Sequence, residues 1–231
     1  MNQTYLDYNA TAPLKPAVRT AMLAAFDSVG NPSSVHSAGR LARQQVEEAR
    51  EKVAALVHVK PSQVIFTGGG TEANNLALRG IAATKVYVSA IEHDSVLSVV
   101  PDAQRLPVTV DGVVDLAAAE KIIAAAPQGS LFSIMMVNNE TGVIQDIPRL
   151  AKKIKASGAY FHVDAVQAAG KLPIDVKALQ VDLLSLSAHK IYGPKGVGLL
   201  YVNSHPKTPL KPLFFGGGQE QSLRPGTSAT H

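Results

Sequence analysis

The sequence contains no cysteine, which excludes disulfides, thiolate metal sites and a cysteine nucleophile within these residues. It has no stretch of eighteen consecutive apolar residues, so no transmembrane helix is expected. A charged segment followed by an apolar one is missing from Met1-Asn-Gln-Thr-Tyr5, so no signal peptide is expected either. These features together predict a cytoplasmic protein without membrane association. One-sided charge is also lacking. The formal net charge is +4, and the densest basic stretch, Lys152-Lys153-Ile154-Lys155, reads as the solvated face of a helix. Aromatics make up only 5%, and no basic stripe is interleaved with them in the manner of a nucleic-acid surface. No repeat, low-complexity segment or linker marks a second complete domain.

What is present is an ordinary globular composition, 231 residues of which 46% are hydrophobic, typical of a mixed α/β protein. A polar-aromatic leader, residues 1–14, ends in a proline-rich stretch and is expected to contribute to a site on the remainder, 15–231. Pro16 opens a helix over 16–25. Apolar positions Leu41, Val46, Val53 and Leu56 predict an amphipathic helix over about 41–57. Strands are expected at 63–66, 85–90, near 107–110, at 130–137, 160–163 and 182–190, and a further apolar run follows at 197–202. Helices are expected from Leu76, at 116–125 and at 148–156. Polar groups recur at the carboxyl ends of apolar strands. The pattern predicts a mostly parallel central sheet with helices on both faces and a ligand at the strand ends.

The chemistry concentrates around Asp182–Gly196, where a buried strand runs into Ser187, His189 and Lys190. A lysine at the mouth of a buried strand is costly unless paired or neutralised, and Schiff-base chemistry is one use for it. Taken alone, it is also compatible with a lysine that snorkels to solvent. Thr67-Gly-Gly-Gly-Thr71 between a strand and a helix makes an anion site, because free amides and the helix dipole point at it. It is neither a dinucleotide nor a P-loop motif, and a plain strand-to-helix turn would look the same. His93 follows a strand end, and Asp164 and Gln167 follow another. His93, His162 and His189 match no usual zinc spacing, so no metal is expected. Lys190, Asp164, Ser187, His189, Thr71 and the glycine turn are together the parts of a pyridoxal phosphate site: an amine, a partner for the ring nitrogen and donors for a phosphate.

The stretch Ser185-Leu-Ser-Ala-His-Lys-Ile-Tyr-Gly-Pro-Lys-Gly196 resembles the cofactor-lysine segment of cysteine desulfurases, in the class V branch of fold-type I pyridoxal-phosphate enzymes. Tyr5-Leu-Asp-Tyr-Asn-Ala-Thr11, Asn31-Pro-Ser-Ser-Val-His36, Phe66-Thr-Gly-Gly-Gly-Thr-Glu72, Glu92-His93, Val137-Asn-Asn-Glu-Thr-Gly142 and His162-Val-Asp-Ala-Val-Gln167 resemble the same family in collinear order. The resemblance implies roles by position. Lys190 would hold the cofactor as an imine and move protons at the substrate carbon. Asp164 would pair with the ring nitrogen, Gln167 would contact the phenolic oxygen, and Asn138 would lie near cofactor and substrate. His93 would stack on the ring and serve in acid–base steps. Gly70, Thr71, Ser187 and His189 would hold the phosphate. Thr227 would reach the phosphate of a partner subunit, which implies a homodimer.

The implied reaction removes sulfur from L-cysteine, leaving alanine and a persulfide for iron–sulfur cluster or thio-cofactor synthesis, with a sulfur-acceptor or scaffold protein as possible partner. Alternatives are a selenocysteine lyase, another class V lyase or transaminase, and a non-catalytic chain that keeps the fold. Two departures stand out. Gly68-Gly69-Gly70 replaces a turn in which relatives commonly carry a bulkier small residue. The family also continues well beyond the position matching His231, into the small carboxyl-terminal domain, with the cysteine nucleophile and the arginine for the substrate carboxylate. This chain alone is therefore expected not to complete a turnover.

Overall fold

The computed structural model describes residues 4–203 and 208–231. Among them a seven-stranded sheet is built from β1 (Val64–Thr67), β2 (Val86–Ser89), β3 (Gln104–Leu106), β4 (Leu131–Met135), β5 (Tyr160–Asp164), β6 (Leu183–Ser187) and β7 (Gly198–Val202). Their spatial order is β1-β7-β6-β5-β4-β2-β3. Every pairing from β6 through to β3 is parallel, while β7 lies antiparallel between β1 and β6. The sheet is therefore mostly parallel, as the sequence pattern predicts. The carboxyl ends of β1, β2, β4, β5 and β6 share one edge.

Helices α1 (Pro16–Phe26) and α2 (Ser37–Leu56) precede the sheet, and α3 (Gly70–Gly80), α4 (Asp94–Leu97), α5 (Leu116–Ala125), α6 (Ile147–Ala156) and α7 (Val176–Leu179) connect its strands from β1 to β6. Side-chain caps set several starts: Asp115 accepts from Ala117 and Ala118 amides, Asp146 from Arg149, and Asp175 from Ala178. The strand expected near 107–110 lies instead at Gln104–Leu106, and beyond it only Val108 bridges to Val114. Pro107 has no N–H to extend the ladder. Helix α3 begins at Gly70 rather than at Leu76, because the glycine turn ends at Gly69, whose φ of 150° suits glycine alone.

The two faces of the sheet carry different cores. Alternate residues such as Phe132, Ile134, Phe161, Val163, Leu184 and Leu186 pack with α2, α5 and α6 in one apolar cluster. The opposite face packs against α3 and α4 through Leu131, Leu183 and Leu200. On that second face, period-2 alternation stacks the residues of β4, β5 and β6 in layers. Leu131 pairs with Tyr160 in an apolar layer, and Ser133 pairs with His162, which stands beside Leu183 and reaches the Ser185 hydroxyl one step further along β6. Met135 pairs with Asp164 beside Ser185, and Ser187 ends β6 at the carboxyl edge. The His162 ring is fully buried and satisfied at both nitrogens, Nδ1 by the Ser133 hydroxyl at 2.8 Å and Nε2 by that of Ser185 at 2.9 Å. A cross-strand hydrogen bond on each side thus fixes the three strands that end at the polar edge.

The exposed rim of edge strand β1 is covered by the turn at Gln219–Ser222. Glu220 accepts the Phe66 amide at 2.8 Å and pairs in two-pronged fashion with Arg50, at 2.7 and 2.8 Å. Arg50 also donates to the Val64 carbonyl at 3.0 Å. Both side chains are about nine-tenths covered. Arg50→Ala strands the Glu220 carboxylate without its counter-ion, and should lower stability by about 3–5 kcal/mol. Denaturant unfolding of the two chains side by side measures this.

Two buried titratable groups give stability an opposed pH dependence. Burial holds His162 neutral, with its pKa lowered to about 3 from 6.5. Burial likewise pushes the Glu92 carboxyl up to about 8 from 4.5, despite hydrogen bonds from the Ser89 hydroxyl and, at 2.6 Å, from the Met135 amide. The unfolded chain binds more protons at His162, so that group makes stability rise from about pH 3 to 6.5. The folded chain binds more protons at Glu92, so that group makes stability fall from about pH 4.5 to 8. Above pH 6.5 the Glu92 slope acts without its opponent. Glu92→Gln should therefore flatten the decline between about pH 6.5 and 8, read as denaturation midpoints against pH for both proteins.

Candidate active site

The polar edge opens into a cavity of about 520 Å³, within the range of small-molecule sites. Its floor comes from strand ends: Asp164 closes β5 and Ser187 closes β6. One wall is the first turn of α3, with Gly70 and Thr71, and another is His93, which caps α4. Lys190 enters from the single helical turn Ala188–Lys190 directly after β6. The leader forms the rim. Its Ala12 amide donates to the His189 carbonyl at 2.8 Å, and the Lys15 amide just beyond it to that of Tyr192 at 3.1 Å, which seats Asp7, Asn9 and Ala10 over the lysine.

The structure brings together Gly70, Thr71, His93, Asp164, Gln167, Ser187, His189 and Lys190 around this cavity. It does not bring Asn138 and Thr227 there. Asn138 is buried in the turn after β4, where Oδ1 accepts from the amides of Glu140 and Thr141, both at 2.9 Å, and Nδ2 donates to the Ile91 carbonyl. Its neighbours Asn139 and Glu140 line the cavity instead. Thr227 is exposed in the carboxyl-terminal loop.

Burial lowers the Lys190 pKa, assisted by the charge of Lys171, against the opposing pull of Asp7, Asp164 and Glu140. Its Nζ donates to the Asn9 carbonyl and, at 2.8 Å, to that of Ala10. A half-buried amine with a lowered pKa is a better nucleophile at neutral pH than a surface lysine. Asp164 is buried, and desolvation pushes its carboxyl up even though the Val166 amide and Asn74 donate to it at 2.9 and 2.8 Å. A cation set against it would offset that penalty. Gln167 donates Nε2 to the Asn9 carbonyl at 2.8 Å, while its Oε1 receives the Lys171 ammonium, also at 2.8 Å. The ammonium thus fixes which end of the amide can donate.

Across the cavity, free amides at the start of the eleven-residue α3, the Thr71 and Ser187 hydroxyls and His189 converge. A Cβ on Gly70 would stand 2.9 Å from Val166 Cγ2 and 3.5 Å from Ser187 Cβ, so only glycine keeps this corner open. Gly198 on β7 allows α3 to approach at all, since a Cβ there would lie 2.6 Å from the Gly69 backbone. Such a corner suits a phosphate dianion, and Asp164 at the other end suits a cationic ring nitrogen. The donor set fits a flat phosphorylated ring that bears an aldehyde for Lys190.

Three contributors have no counterpart in the sequence reading: Asn74, Ser95 and Lys171. Asn74 lies one turn beyond Thr71, on the same face of α3, and Lys171 follows Gln167 by four residues. Those spacings are the only trace that a sequence carries of them.

The family model described as aminotransferase class-V matches residues 4–230. The cysteine desulfurase IscS of Dechloromonas aromatica is 44% identical over 98% of this chain, and the mitochondrial cysteine desulfurase of Drosophila melanogaster is 44% identical over 96%. The matches span 60% and 51% of those proteins, so the chain extends over little more than half the length of these relatives. The solved NifS-like protein of Rickettsia africae superposes with a TM-score of 0.92 at 37% identity, over 99% of this chain and 65% of that one. The chain belongs to the aminotransferase class-V family and is a homologue of its cysteine desulfurases.

Proposed function

We propose that this chain is the pyridoxal-phosphate-binding part of a cysteine desulfurase, which takes sulfur from L-cysteine and leaves L-alanine. The observation that carries the reading is Lys190, an amine with lowered pKa in a cavity that also holds buried Asp164 and a phosphate-shaped corner. When bound, the cofactor supplies an electron sink for the substrate α-carbon. Lys190 Nζ anchors the ring, then takes and returns the proton at that carbon. Asp164 pairs with the ring nitrogen. Gln167, its amide oxygen held by Lys171, offers N–H to the phenolic oxygen. The start of α3, Thr71, Ser187 and His189 take the phosphate. His93 lies on the cavity wall, where it can stack on the ring and serve the substrate thiol.

The chain has no cysteine, so the thiol that accepts sulfur comes from outside these residues: another segment, a partner, or an added thiol. Delivery to a scaffold for iron–sulfur clusters or to a thio-cofactor pathway belongs to the same reading. So does a homodimer, supported by the exposure of Thr227 outside its own cavity, and so does a leader, residues 1–14, that completes the site of domain 15–231. Among the described residues no helix is long and apolar enough to cross a membrane. A cytoplasmic location is part of the proposal, and cell fractionation distinguishes it from the organelle named for the mitochondrial relatives.

Borohydride reduction in the presence of pyridoxal phosphate tests the anchor. A pyridoxyl label should map to Lys190 by peptide mass, vanish in Lys190→Ala and persist in Lys195→Ala. A label that survives Lys190→Ala would sink the assignment.

A further inference from the structure

His93 stands at the cavity wall, and three hydrogen bonds behind it decide where its proton sits. The residue is the N-cap of α4, and its Nδ1 receives the Ser95 backbone N–H at 3.0 Å. A backbone N–H is a donor in every protonation state, so the atom facing it acts as an acceptor. The Ser95 hydroxyl lies 2.8 Å from the same Nδ1. On its other side that hydroxyl receives Asn74 Nδ2 at 2.9 Å, and the second N–H of the same amide reaches Asp164 Oδ2 at 2.8 Å. The amide orientation follows from the carboxylate: reversed, it would set Oδ1 against Oδ2, acceptor against acceptor. Asn74 Oδ1 stays buried without a partner among the described residues. An orphan acceptor is tolerated here because both donors are engaged at the other end. Because the Ser95 backbone N–H already makes Nδ1 an acceptor, the Ser95 hydroxyl, which accepts from Asn74, turns its one hydrogen toward Nδ1.

We propose that Asn74 and Ser95 are positioning residues that hold neutral His93 in the tautomer protonated at Nε2 and couple it to Asp164. Nδ1 meets two donors and carries no proton, so the nitrogen left for the cavity is an N–H. His93 therefore meets a ligand first as a hydrogen-bond donor, and it accepts a proton at Nε2 only after giving one up. The same chain of contacts links the group opposite a ring nitrogen to the group on the ring face: Asp164 on β5, Asn74 on α3, then Ser95 and His93 at α4. Movement or charge at Asp164 is thereby felt at His93 without a direct contact. The tautomer assignment stands on the protein geometry alone. The functional consequence rests on the pyridoxal phosphate reading.

The test reads the tautomer directly. With 15N-histidine in the chain and alkaline buffer, where imidazole is neutral, long-range 1H–15N spectra distinguish the two ring nitrogens. His93→Gln assigns the signal. The expected result is one protonated Nε2 and one bare Nδ1. A proton on Nδ1, or signals averaged between tautomers, overturns the proposal. Ser95→Pro removes both donors at a first-turn position where proline is tolerated, and should produce averaged signals. An unchanged pattern in that variant overturns the part assigned to Ser95, and the His162 signal reports whether the variant is folded. Asn74→Ala should weaken pyridoxal phosphate binding by about tenfold or more, the typical worth of a hydrogen bond to a charged group. Unaltered affinity removes the coupling to Asp164. If the wild-type chain gives no pyridoxyl label at all, the cofactor reading fails while the tautomer result stands.

Discussion

A carboxylate at the end of a strand buried on both faces has to be hydrogen-bonded or neutralised, and much of this molecule is arranged around that need at Asp164. The Val166 amide and Asn74 hold its two oxygens. Asn74 can reach it only because α3 lies close over the sheet, and α3 lies close only because β7 carries glycine at 198. Burial still pushes the carboxyl up, so the protein stops short of full compensation. The remaining demand is for a positive charge from outside, which the cationic ring nitrogen of the proposed cofactor would meet. On the proposed function, cofactor binding and stability would be coupled at Asp164.

The lysine presents the complementary problem. Lys190 is half-buried, and its nearest partners are neutral carbonyls of the leader, Asn9 and Ala10. Carbonyl oxygens satisfy N–H groups without adding the full negative charge that would raise the pKa. Lys171 adds repulsion from the far side while orienting Gln167. One ammonium therefore does two jobs. The leader is what makes this arrangement possible, since without residues 9 and 10 over the cavity the amine would be solvated like any surface lysine.

The layout was legible in the sequence because apolar runs of four to six residues ending in polar groups have few structural solutions. Strands β4 to β6 and helices α5 and α6 lie close to their expected positions, and His93, Asp164, Gln167, Ser187 and Lys190 beyond the ends of β2, β5 and β6 converge on one cavity. What failed to show has physical reasons. Pro107 moved a strand boundary by denying the ladder a donor. Glycines permitted α3 to start a turn and a half early, since propensity says little about where a glycine turn ends. Asn138 reads in sequence as a site amide, yet a turn that needs three donors satisfied takes its oxygen first. Asn74 was invisible because its partners Ser95 and Asp164 lie on other elements, while Lys171 and Ser95 have only short spacings to Gln167 and His93, which any surface turn or helix could show.

The division of the sheet into two unlike faces explains how the fold tolerates so polar an edge. One face is apolar along the full length of the strands and packs α2, α5 and α6, which supplies cohesion. The other changes character along the strand, from Leu131 and Leu183 through the Ser133–His162–Ser185 row to Met135, Asp164 and Ser187. A neutral histidine is well suited to the middle layer, since it offers one donor and one acceptor and needs no counter-ion. Replacing that row by aliphatic residues would bring hydrocarbon up to the base of Asp164 and raise its desolvation penalty further. Replacing it by charges would place uncompensated ions in the core. The buried imidazole and its two serines are the step between oil and ion. Through them, strands anchored by one face present reactive groups on the other at fixed separations.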